Sequence, residues 1–206
     1  MRFEPKRIVK AVNKLHRETV VRWHECEPDN PYEELLGTIC QQHQYNFLLW
    51  HEEDIARSPD VTDARIAMVK RAIDGYNQQR NDWIERIDEA LLEMLAEAGA
   101  KPAADARLNT ETPGSSFDRL SIMSLRIFHL EEQLQRSDVD QAHIDRTNAR
   151  LERCRMQQAD LSQSLVELLS DLEAGRKVLR VYRQMKMYND PTMNPYLYGR
   201  GKKQVA

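Results

Sequence analysis

From Val61 to Ala98 the chain carries no proline and one glycine, and its apolar residues recur at Ile66, Val69, Ile73, Ile84, Ile87 and Leu91. Steps of three and four put these side chains on one face of an α-helix, whereas a strand would alternate with period two. A stretch this long with that period folds as one long helix. A helix with one apolar face has to bury that face against other helices. Similar stripes predict a first helix over about 5–26 (Ile8, Val12, Leu15, Thr19, Trp23) and a second ending near Arg57. They also predict a fourth helix from about Ser116 or Phe117 and a fifth helical stretch over about 139–188, which Gly175 bends or divides.

Proline and glycine sit at the junctions: Pro28-Asp29-Asn30-Pro31, Ser58-Pro59-Asp60, and the Lys101–Ser116 loop. Asn30 reads as an N-cap with Pro31 at the first helical position, Asp60 or Thr62 as the cap of the third helix, and Ser137 with Asp140 as a further cap signal. No strand-type alternation persists and no internal repeat is visible. The short connections after helices one, two and four favour antiparallel neighbours. The expected fold is therefore all-α, an up-down antiparallel bundle of four to five long helices. Residues 1–188 form a single domain, followed by a Pro/Tyr/Gly-rich basic tail over 189–206.

Bulk properties remove several function classes. A formal charge of −3 with 31% charged residues is the balance of a soluble helical protein and disfavours a general nucleic-acid binder. The tail residues Tyr188, Tyr196, Tyr198, Arg200, Lys202 and Lys203 mix aromatic and basic groups, the one feature that suits nucleic acid. No run of about 18 apolar residues is present, so no membrane span is expected. The basic N-terminus lacks an apolar core and a cleavage site, which points to the cytoplasm. Cys26, Cys40 and Cys154 are odd in number and far apart, which suits neither a disulfide framework nor a zinc knuckle.

The second helix holds the most suggestive pattern. Its core-facing stripe runs Leu36, Ile39, Cys40 and then turns polar at His43, Asn46, Trp50, Asp54 and Arg57. A charged group on such a face is paired, hydrated or turned to a ligand, because burying it bare is costly. Two more polar blocks accompany it. One carries Asn77, Arg80, Asn81 and Asp88. The other has Glu111, then Asp118 and Arg119, placed by the expected helix start in a first turn whose amides suit an anion. With helices two and three antiparallel about Pro59, His43 comes level with Asn77, and His51 turns toward helix one or four.

Two readings of this layer stay open. In the structural one, Arg80 pairs with Asp54 or Asp118 and His43 is a satisfied core histidine. In the functional one, Arg57 and Arg80 hold a phosphate or carboxylate. Asn46, Asn77, Asn81, Asp118 and Arg119 then contact the ligand. His51 serves as general acid/base, and Asp54 orients it or helps hold a metal.

Metal signatures are partial. No Glu precedes a His by three residues; Asp140-x-x-His143 comes nearest, so a ferritin-like centre is disfavoured. Helical nucleotide pyrophosphohydrolases gather Mg2+ with paired carboxylates on adjacent helices. Glu85-x-x-Asp88 matches half of that pattern, and Glu53 or Asp54 stands in for the other half. Gly199-Arg200-Gly201 lies in the tail without a preceding strand and is no phosphate loop.

The run Asn46-Phe47, Leu49-Trp50-His51, Glu53-Asp54 and Ala56-Arg57 is followed by Asp74, Asn77-Gln78, Arg80-Asn81-Asp82 and Ile87-Asp88. Glu111-Thr112, Gly114 and Asp118-Arg119-Leu120-Ser121-Ile122 complete the set. With these residues the chain resembles, over about 30–135, a bacterial family of similar length known only as a domain of unknown function. The resemblance carries no activity with it. It implies a setting near glycosyltransferases of surface polysaccharide synthesis, which adds weight to a nucleotide-sugar or sugar-phosphate ligand. The expected function is thus a polar interhelical pocket for a nucleotide, nucleotide sugar or sugar phosphate. The alternative is a scaffold protein, homo-oligomeric or partner-binding, acting through its long C-terminal helix.

Overall fold

The computed structural model describes residues 3–185, 187, 190 and 192–194. Five helices carry the fold: α1 (Pro5–Trp23), α2 (Glu34–Arg57), α3 (Asp63–Glu97), α4 (Pro113–Leu134) and α5 (Gln141–Glu173). They pack on one another as an all-α bundle. Two short strands, β1 (Arg107–Leu108) and β2 (Lys177–Val178), pair in parallel at its edge. No helix among the described residues is long and apolar enough to cross a membrane. The basic and aromatic residues singled out at Tyr188 and in the tail from Tyr196 onward lie outside the described residues.

Local chemistry sets the helix starts. Thr62 Oγ1 accepts from the Arg65 amide, Thr112 Oγ1 from the Ser115 amide and Asp140 Oδ1 from the His143 amide. α2 begins at Glu34 rather than Pro31, because the Asn30 side chain closes a turn instead. It accepts from the Tyr32 amide and donates to the Gly37 carbonyl. α4 begins at Pro113, earlier than expected. Pro113 is a first-turn residue with Thr112 as its cap, a use of proline that resembles a loop when read in isolation.

α5 stops well short of residue 188. Gly175 takes a φ of +70°. The Arg176 amide donates to the Asp171 carbonyl and the Gly175 amide to the Leu172 carbonyl, the paired bonds of a left-handed helix cap. A Cβ on Gly175 would lie 2.2 Å from the Lys101 carbonyl oxygen. The chain then runs on as β2, and Leu179 packs on the core from an extended segment rather than from a helix.

The main core draws on every helix: Ile8 and Val12, Ile39, Ile87 and Leu91, Phe117 and Leu120, Leu165 and Leu169. A second cluster joins Leu15, Trp23, Cys40, Phe47 and Leu125, and a third joins Leu49 to Val69 and Ile73. Ile39 packing with Ile87 while Leu49 packs with Ile73 shows α2 and α3 running antiparallel. Cys40 and Cys154 are buried free thiols, and burial pushes the Cys40 thiol up to about 12. It is a core side chain, not a nucleophile.

At the α3–α4 crossing, Gly114 is the point of closest approach. A Cβ there would sit 2.6 Å from the Ile84 carbonyl oxygen and 3.0 Å from the Asp88 carboxylate. Gly114→Ala is therefore expected to cost about 2 kcal/mol by forcing the helices apart. Gly75→Ala, on the same α3 but with open space around it, is expected to gain up to about 1 kcal/mol from helix propensity. Urea midpoints of the two variants test this contrast, and equal midpoints would refute it.

Candidate functional site

The polar stripe of α2 meets α3 and α4 at Asp118, which is only 4% exposed. Its carboxylate accepts from Gln42 Nε2 at 2.6 Å and from Asn46 Nδ2 at 2.9 Å. It also accepts from Arg80 Nε at 2.7 Å and Nη2 at 2.5 Å, a two-pronged contact. One turn along α4, Ser121 Oγ accepts from Asn46 Nδ2 at 2.8 Å and lies 2.6 Å from His43 Nδ1. Residues 42 and 46 share one face of α2, and 118 and 121 share one face of α4, so two helical periods converge on one layer. Asp118 raises the pKa of Arg80 by direct hydrogen bonding. The two charges are paired with each other within the layer.

Other predicted residues do not converge there. Arg57, 68% exposed along its side chain, pairs with Glu53 at 2.9 Å and Asp54 at 3.9 Å along its own helix. It lies about 16 Å further along α2 than Asn46, so Arg57 and Arg80 share no cavity. Asn77 and Asn81 are half-buried and Arg119 is exposed. The first-turn amides of α4 are not open to an external anion, because Gly114 N–H donates to Asp88 Oδ1 at 2.7 Å and Ser115 N–H to Thr112. Asp118 itself lies in the second turn.

The oxygen ligands suggested for Mg2+ are not assembled either. Glu85 is level with the start of α2, roughly 20 Å from Glu53 and Asp54 by helix rise. Arg183 and the Gln184 amide hold Glu85 at 3.0 and 2.9 Å. Asp88 is buried against α4. Burial pushes its carboxyl up to about 6, against the lowering influence of Thr112 and the Gly114 amide.

Histidines form the rest of the interior chemistry. His16 and His43 are both fully buried, with ring centroids 4.5 Å apart. Burial holds both below their usual range, His43 to about 3. Among the described residues, neither nitrogen of His16 has a hydrogen-bond partner. His51 turns away from this layer, toward α1 and α4, where it meets His24 and His129. Sequence spacing does not reveal this trio, because each ring comes from a different helix or helix end.

A cavity of about 870 Å³ lies between α1, α4 and α5. Its floor is apolar, with Val9, Val20, Ile127, Phe128 and Val166. Its rim carries Lys6, Arg7, Lys10, Lys14, Arg17 and Arg155, with Glu131 as the sole acid among the lining residues. Glu131 is itself paired with Arg155 at 2.7 Å. The sequence held a signal for this groove: residues 6, 10, 14 and 17 step by four, four and three along one face of α1.

A family model described as "Protein of unknown function (DUF4254)" matches residues 36–181. No curated protein and no solved structure matches the chain.

Proposed function

The chain belongs to the DUF4254 family, and we propose that it binds a phosphorylated small molecule, a nucleotide, nucleotide sugar or sugar phosphate, in the groove between α1, α4 and α5. The observation that carries this reading is the charge of the groove. Six cations and one carboxylate line the groove of a chain whose formal charge is −3, and with Arg155 answering Glu131 the five cations of α1 remain in excess among the lining residues. The exposed rim side chains of α1 suit phosphate oxygens, and the apolar floor suits a base or sugar face. Arg80, occupied by Asp118, supports the fold rather than the ligand. Docking of a partner along α5 has less support, since Met156 is the only large apolar side chain that helix exposes.

Thermal-shift measurements with nucleotides, nucleotide sugars and sugar phosphates test the proposal. A bound ligand at about 100 times its Kd should add roughly 2.7 kcal/mol of stability. The double variant Lys10→Glu/Lys14→Glu is expected to weaken that binding at least tenfold, while Arg57→Glu leaves it unchanged. No shift with any compound, or a shift indifferent to the α1 charge reversal, would overturn the proposal.

A further inference from the structure

We infer that His24, His51 and His129 form a binding site for one divalent transition-metal ion of the zinc type. The three residues offer ring nitrogens within 4.8 Å of one another. They come from the C-cap of α1, the last turns of α2 and the second half of α4, so the bundle itself holds them together. This site is separate from the Asp118 layer and does not depend on the anion groove, although Phe128 touches both, lining the groove and stacking on His24 at 4.2 Å.

The hydrogen bonds leave the correct atoms free. His24 Nδ1 lies 2.7 Å from the Val20 carbonyl oxygen, so that nitrogen carries the proton and Nε2 keeps its lone pair. His129 Nδ1 lies 2.6 Å from Glu132 Oε2. A carboxylate behind a histidine in this way orients the ring and raises its basicity toward a metal. Among the described residues, His51 Nε2 and His129 Nε2 are shielded from solvent and have no hydrogen-bond partner. Leaving such atoms bare is costly, and a metal ion would satisfy both.

Three imidazoles select zinc, copper, nickel or iron over magnesium or calcium, and a three-histidine set leaves a fourth tetrahedral position for water or a ligand. Zn–N bonds of about 2.1 Å bring nitrogens to about 3.4 Å apart.

Titration of the full chain, stripped with chelator, with Zn2+ and Co2+ decides the matter. The expected result is one ion per chain, a tetrahedral Co2+ absorption band displaced by Zn2+, and a raised melting temperature. His24→Gln, His51→Gln and His129→Gln should each weaken uptake at least tenfold, and Glu132→Gln about tenfold. His143→Gln, on α5 and outside the trio, should change nothing. His24 is exposed, so His24→Gln is the decisive variant if a more buried replacement fails to fold. No saturable band in the wild type, uptake unchanged in His24→Gln, or uptake lost in His143→Gln would each overturn the inference.

Discussion

Asp118→Ala is expected to destabilise the protein by about 4 kcal/mol, within the 3–5 kcal/mol range for breaking a buried ion pair from one side. Asp118 accepts four hydrogen bonds from three residues on two other helices. Its removal leaves Gln42 and Asn46 without that acceptor, and a guanidinium only 25% exposed without its counter-ion. For a chain of 206 residues this corresponds to a fall in Tm of roughly 10 °C. Arg80→Ala should cost less, because its side chain reaches the surface and Asp118 keeps Gln42 and Asn46. The double variant should cost less than the sum of the two single ones, and a double-mutant cycle in urea measures that coupling. A loss under about 1 kcal/mol for Asp118→Ala would mean that apolar packing alone sets the α2–α3–α4 register.

Acid lability is the second large effect. His16 and His43 are held neutral by burial, so their folded pKa values lie below the unfolded value of about 6.5. Their stabilising contribution is present above that unfolded value. It is lost as pH falls from there toward about 3, where His43 titrates in the folded state. The His43 ring then costs about 1.4 kcal/mol per pH unit, about 2 kcal/mol between pH 7 and 5, and the His16 ring adds to the loss in the same direction.

Asp88 works in the opposite sense. Its folded pKa is raised to about 6, so its contribution is full at low pH and lost as pH rises through that value. Moving from pH 7 to 5 therefore returns about 1 kcal/mol, less than the two histidines remove, so a net loss is expected. Urea unfolding at both pH values measures this. His16→Leu should reduce the histidine loss, and Asp88→Asn should make the net loss larger. Stability that stays level or rises between pH 7 and 5 would mean that the buried rings accept protons without unfolding.

Reading the chain alone locates α3 almost to the residue. Its apolar period, the Thr62 cap and the absence of proline are local properties that act within a few turns. The errors fall where the same residue has two local uses. Pro113 starts a helix although proline also marks loops. Gly175 ends a helix although glycine is also tolerated inside one, and the steric limit comes from Lys101, far away in sequence.

For the candidate sites the division is sharper. Sequence named Arg80 and Asp118 as partners but left Asp54 as an equal alternative, since each lies on a facing stripe. Only the tertiary structure decides between them: the α3–α4 contact puts Asp118 on Arg80, while Asp54 lies further along α2 beside Arg57. The imidazole trio is further from local reach, because it draws on three helices and no spacing within one helix encodes its meeting, whereas of the basic groove only the α1 stripe is visible in spacing. The sequence by itself determined the helices, their apolar faces and the caps at Thr62 and Asp140, because backbone hydrogen bonding and burial periodicity are short-range. The tertiary structure alone decided which polar groups share a site, because that depends on the rotation and offset of helices distant along the chain.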